Sequence, residues 1–177
     1  MKQKAVLFNW TRIIAIAIII LIIILIVYFG LFYRSILQSK TEDYERTKSV
    51  VRESLNMNIN EIYSFQEKEG YHILFTTDNK NKDWIVFVPL SEELKKENFI
   101  VIENNEVLSK EEIESIWQNN CKNCELIKSK PAMIDNIPLW ELTYKDQSSR
   151  YVIEYITLKD GTTYEQLRLI RKYSEKG

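Results

Sequence analysis

Cys121-Lys122-Asn123-Cys124 is the one stretch of this 177-residue chain whose spacing suits covalent chemistry. A redox CxxC places its first sulfur at a helix N-terminus, where the helix dipole lowers the thiol pKa. Here the pair closes a helical run, which works against thiolate formation, and Lys122 offsets this only a little. Outside the cytoplasm two cysteines so close in sequence are prone to oxidation. Three readings follow: a local structural disulfide or two inert thiols, a redox pair, or two metal ligands. The position at a helix end favours the first. Zinc needs two further ligands, and the single histidine, His72, is far away in sequence.

The pairs Glu92–Glu93 and Glu111–Glu112 have the residue type for general acid–base work. The first lies in the charged loop SEELKKE, and the second belongs to a solvated helix start. Neither reads as catalytic. His72 opens a strand with no serine or cysteine motif beside it and reads as a plain strand residue. There is no G-x-S-x-G, no H-E-x-x-H and no phosphate loop. The sequence therefore assigns no catalytic, cofactor-binding or metal-ligating residue, and no small-molecule substrate.

Aromatic residues remain. Trp84, Trp140, Tyr144, Tyr151, Tyr155 and Tyr164 all fall on strand-like segments. A sheet layered by one helix has one covered face, and the other must be covered or left apolar. Large exposed aromatic patches mark partner sites. Trp84, Trp140, Tyr144 and Tyr151 are thus candidate interface residues, either between two modules or with a protein partner.

The elements that must position them begin with Ile13 to Phe32, 20 residues without a charge. At ~1.5 Å per residue this makes ~30 Å of helix, the thickness of a bilayer core. Trp10, Tyr28, Phe29 and Tyr33 cluster toward its ends as interfacial anchors. The pattern predicts a cytoplasmic tail over 1–12, with Lys2, Lys4 and Arg12, and a transmembrane helix over 13–33. No small-residue cleavage pattern follows, so the span reads as an uncleaved signal-anchor with the rest of the chain outside the cytoplasm. Four of the 24 basic residues precede Ser35, leaving 20 against 25 acidic ones, a net charge of −5. An acidic domain is a poor partner for nucleic acid or anionic wall polymer.

Leu37, Tyr44 and Val51 recur every seven residues, with Thr47, Val50 and Leu55 on the same face, which predicts a helix over 35–55. Strand patterns follow over 60–66, 71–77, 83–89 and 98–102. Ser109 and Glu112 form an S-x-x-E capping box that opens a second helix ending near Asn119–Asn120. Strand patterns then cover 124–133, 137–144, 150–158 and 162–170, with a hairpin turn at Asp146–Ser149 and another at Asp160–Gly161. Helix followed by four strands thus occurs twice, at an interval of roughly 70 residues. The expected fold class is α+β: each copy a helix packed on a four-stranded antiparallel sheet.

The run Ile137-Pro138-Leu139-Trp140-Glu141, the strand end at Tyr144 and the hairpin YVIEYITLKDG resemble the TseB-like (YpmB-like) cell-wall elongation regulators of Gram-positive bacteria. The resemblance extends from the anchor to about Ile170; in the first copy it rests mainly on Trp84 to Pro89. It implies a single span followed by two cystatin-like modules, over 35–104 and 105–172, the second related to the PepSY domain, with Asn104–Asn105 to Leu108 as the joint. It also implies a non-enzymatic protein of the cell membrane that works with a penicillin-binding protein in peptidoglycan synthesis, with no cofactor. Cys121 and Cys124 depart from the family pattern. Two other functions stay open on the residues: a PepSY-like peptidase inhibitor or chaperone-like module, and a thiol oxidoreductase using Cys121 and Cys124.

Overall fold

The computed structural model describes residues 10–90 and 93–169; Glu92, Ile170 and most of the tail expected over 1–12 lie outside them. Eight strands and two α-helices are present among these residues, with two short 3-10 turns at Lys96–Asn98 and Asn104–Glu106. The chain divides into two units, Met1–Glu45 and Arg46–Gly177.

In the first unit, helix α1 (Trp10–Leu55) carries the apolar stretch Ile13–Arg34, long and apolar enough to cross a membrane. The side chains of Ile13–Arg34 are exposed throughout. β-branched residues form helix poorly in water, but in lipid each backbone N–H must be paired within its own segment, which a helix achieves. This stretch fits a membrane anchor.

The second unit begins with the last turns of α1. The helix stops where Asn56 adopts a left-handed conformation (φ 54°) and donates its N–H to the Arg52 carbonyl at 3.0 Å. Asparagine tolerates that conformation better than most residues. Thr47, Val51 and Leu55, spaced by four, turn one face toward the first sheet.

That sheet is an antiparallel meander, in order β1 (Asn58–Gln66), β2 (Gly70–Thr77), β3 (Asp83–Pro89) and β4 (Ile100–Glu103). Leu74, Val86 and Val88 meet Val51 of α1. The opposite face, with Phe65, Tyr71, Ile73, Ile85 and Phe87, belongs to the core shared with the second sheet. The first sheet is therefore buried on both sides, and β2 and β3 read as nearly continuous apolar runs.

The second sheet is also a meander, in order β5 (Glu125–Ile134), β6 (Ile137–Lys145), β7 (Tyr151–Thr157) and β8 (Thr163–Arg168). Helix α2 (Lys110–Asn120) lays Ile113 and Trp117 on it, with the Trp117 ring 5.2 Å from that of Tyr144. Ser109 and Glu112 close the capping box reciprocally, at 3.2 and 2.8 Å. Gly161, with φ +72°, turns the chain between β7 and β8 against α2; a Cβ there would come within 2.7 Å of Ile116.

The repeat is visible in backbone detail. Asp78 accepts the N–H groups of Lys80 and Lys82 at 2.7 and 3.0 Å in the β2–β3 turn. Asp146 accepts those of Ser148 and Arg150 at 2.8 and 3.0 Å in the β6–β7 turn. Asn81 and Ser149 occupy the same left-handed position, with φ of 60° and 57°. Register shifts also fall at equivalent places, between Ile59 and Glu61 in β1 and between Leu126 and Lys128 in β5. The α+β class, the apolar N-terminal helix and the two four-stranded antiparallel sheets agree with the expectation from sequence.

Leu74 is fully buried where α1 meets the first sheet. Leu74→Ala should lower unfolding free energy by about 2–5 kcal/mol. The midpoint shift in chemical denaturation of the detergent-solubilised full chain checks this.

Candidate functional site

The four aromatic residues singled out from sequence do not share one surface. Tyr144 is 3% exposed and Trp140 is 4% exposed, both in the shared core. Trp84 is half-buried, and its indole N–H donates to Asp78 at 3.2 Å. Tyr151 is 42% exposed at the start of β7, with the Lys145 ammonium 5.8 Å from its ring centre. Both apolar and amphipathic strands place aromatics at alternate positions, so periodicity alone cannot separate Tyr151 from Tyr144.

Trp84 and Trp140 line a cleft of about 420 Å³ where the two sheets meet. The Phe75 ring lies over Trp140, with centres 6.3 Å apart and planes 26° apart, and the Tyr63 ring meets Phe75 edge-on at 5.9 Å. Asn60, Glu61 and Asp83 come from the first sheet. Leu108 and Ser109 to Glu111 come from the start of α2 and the segment before it. That segment is fixed to the second sheet by the Leu108 N–H, which donates to the Leu158 carbonyl at 2.8 Å. Sequence reasoning does not find Asn60, Glu61, Tyr63, Phe75 or Leu108 as site residues, because the cleft gathers five separate segments.

Tyr63 donates to the Glu61 carboxylate at 2.5 Å; this hydrogen bond, with burial adding to it, pushes the phenol up to about 12. Burial, then the carboxylates beside them, push Tyr144 and Tyr155 up to about 12 as well. Tyr144 donates to Glu154 at 2.8 Å, and Thr163 donates to the other oxygen of that carboxylate at 2.7 Å. The Gln166 amide donates to the Tyr144 oxygen at 2.9 Å. Glu154 is 8% exposed, a carboxylate held in the sheet by hydroxyl donors. The sequence did carry a signal for it: one acidic residue within the apolar run YVIEYI.

Cys121 and Cys124 are joined by a disulfide at the end of α2. Cys121 caps the helix, its N–H donating to the Trp117 carbonyl at 2.8 Å. Both cysteines pack against the shared core, and the loop between them is held by Gln147, which donates to the Lys122 carbonyl at 2.8 Å. The sulfurs thus sit at the negative end of the helix dipole, which disfavours a thiolate. His72 is buried in β2, with Nδ1 2.7 Å from the Thr47 hydroxyl of α1. Glu112 caps α2, while Glu111 is exposed beside the cleft. Among the described residues no three His, Cys, Asp or Glu side chains stand close enough together to share a metal ion.

No family model matches the chain. The Probable cell wall elongation regulator TseB of Bacillus subtilis (strain 168) is 26% identical over 140 residues, 73% of this chain and 79% of that protein. The YpmB protein from Bacillus subtilis has the same fold, with a TM-score of 0.62 over 71% of this chain and 96% of that one, at 21% identity. The chain is TseB/YpmB-like. The apolar helix of this TseB/YpmB-like chain fits membrane association, and the regulator name of its relative fits a protein partner.

Two measurements probe the site's chemistry. Absorbance titration at 295 nm should show a class of tyrosines ionising near pH 12, smaller by one in Tyr144→Phe. Because the folded pKa is raised, stability from Tyr144 is complete below pH 10 and is lost as pH rises from 10 through about 12. Mass spectrometry after alkylation should find neither Cys121 nor Cys124 labelled before reduction, and both labelled after it.

Proposed function

We propose that the chain is a membrane-anchored regulator of cell-wall elongation with no catalytic activity of its own, and that it acts by binding a penicillin-binding protein. The similarity to the Probable cell wall elongation regulator TseB carries this reading, because it extends over 140 residues rather than one motif. The stretch Ile13–Arg34 is the anchor and crosses the membrane once. Lys2, Lys4 and Arg12 before it keep the N-terminus in the cytoplasm, so the two sheets lie outside. Residues 35–104 and 105–172 are then two cystatin-like modules, the second of PepSY kinship, acting near the membrane surface on peptidoglycan synthesis.

A net charge of −5 after the span supports a protein partner over a polyanion. The disulfide at the end of α2 serves as a staple for a short helix rather than as a redox centre.

In-cell photo-cross-linking with the probe at Tyr151, at Leu167 and at Asn60 tests the reading; all three positions are exposed. The expected result is an adduct with a penicillin-binding protein from at least one of them. Recovery of no such adduct from any of the three positions would overturn it.

A further inference from the structure

An open sheet ends on two strands whose outer backbone groups lack a neighbouring strand. Here those strands are β1 and β4 in the first sheet, and β5 and β8 in the second. Three of the four are protected. Strands β1 and β5 lie against each other, each carries a register shift, and β5 also contains Pro131. Strand β4 has four residues and is bracketed by two 3-10 turns. Strand β8 is the exception. It contains no proline, and its register shift, opposite Tyr155–Ile156, precedes Glu165. From Glu165 to Leu169 its pairing with β7 is regular.

The ladder fixes which backbone groups of β8 are open. Leu169 donates its N–H to the Tyr151 carbonyl at 2.9 Å, toward β7. Alternation along an antiparallel strand turns the groups of Leu167 and Glu165 the same way, and those of Gln166 and Arg168 outward. Among the described residues no strand pairs with that outer side.

The side chains along this edge carry a pattern. Leu167 stands opposite Ile153, and Leu169 follows it on the same face, opposite Tyr151. Tyr151, Leu167 and Leu169 are exposed and Ile153 is half-buried, which makes an apolar stripe of the kind that marks contact surfaces. Glu165 and Arg168 are exposed charges of opposite sign, and neither has an ion-pair partner among the described residues.

We propose that β8 receives an extended segment of the protein partner as an antiparallel fifth strand of the second sheet. The outward N–H and carbonyl groups of Gln166 and Arg168 supply its hydrogen bonds. Residues paired across an antiparallel ladder share a face, so β8 dictates what stands opposite: apolar side chains at Leu169 and Leu167, an acid at Arg168 and a base at Glu165. Along the partner the order is apolar, acidic, apolar, any, basic. This rests on the reading that the chain works by binding a protein, and it adds the edge used and the residue order recognised there.

The test uses the purified full chain in detergent and a capped, fluorescein-labelled heptapeptide, Thr-Val-Glu-Val-Thr-Lys-Thr, with binding read by fluorescence anisotropy. A second peptide exchanges Glu and Lys, which leaves composition and net charge unchanged. A third carries N-methyl groups on Glu and on the Thr between Val and Lys, the two residues whose N–H groups face β8. The first peptide is expected to bind and to slow hydrogen exchange at the Gln166 and Arg168 amides. The second and third are each expected to bind at least about tenfold weaker. In the charge-reversed variant Glu165→Arg/Arg168→Glu the preference between the first two peptides should invert, with circular dichroism checking that the fold is kept. No binding of the first peptide, equal binding of the first and third, or an unchanged preference in the variant would overturn the proposal. So would a disulfide-linked dimer of Leu167→Cys, which would put a second copy of the chain on this edge. The regulator reading keeps its own test: adducts there from Asn60, without any from Tyr151 or Leu167, would retain that reading and remove β8 as the docking edge.

Discussion

The whole second unit depends on the first sheet being covered on both faces. Leu74, Val86 and Val88 are closed by Val51 at the end of α1, while Ile73, Ile85 and Phe87 are closed by the shared core. A strand in that position cannot alternate between apolar and polar residues, and β2 and β3 do not. The covering elements come from both sides of the sheet in sequence, since α1 precedes it and the second half follows it. Burial of each face by a different part of the chain holds those parts against a common plane, and the cleft forms where the edges of that arrangement leave a gap.

The second sheet obeys a weaker constraint. Helix α2 covers Tyr144 and its neighbours, but the other face is only partly used. Near β1 it holds the Lys130–Glu141 ion pair at 3.2 Å, with both side chains less than a fifth exposed and the lysine over the Phe65 ring. The Tyr155 ring meets that same Phe65 edge-on at 6.4 Å. Farther along, Tyr151 and Leu167 are exposed. The two copies of the repeat keep the same turns and the same register shifts, yet differ in how many faces they bury. Duplicated local geometry and divergent packing are compatible because turn hydrogen bonds are made within five residues, while face burial depends on what lies above.

That difference in range also decides what was legible in the sequence. Short-range features could be read: the capping box at Ser109 and Glu112, the Asp160–Gly161 turn, the apolar stretch beginning at Ile13 and the strand pattern of both halves. Long-range features could not be read. Nothing near Trp140 says that Phe75 stacks on it, and nothing near Tyr144 says that Trp117 covers it while Tyr151, a similar residue on the neighbouring strand, stays exposed. The cleft was invisible for the same reason, being assembled from five segments that meet only in the folded chain. The TseB/YpmB resemblance supplied the fold early because it compares whole patterns, but it carried no residue into the cleft.

Glu154 shows what a buried acid does for a strand that has no apolar code of its own. Every side chain of β8 is exposed, so a slip of one residue against β7 would cost little in apolar burial. The pairing is instead pinned by Thr163, which donates to Glu154, and by Gln166, which donates to the Tyr144 hydroxyl that Glu154 also holds. A shift by one position turns both side chains to the wrong side and leaves a carboxylate enclosed with fewer donors, a state far costlier than the aligned one. The polar network therefore works as a proofreading device for strand alignment, discarding the neighbouring registers that hydrophobicity alone would accept.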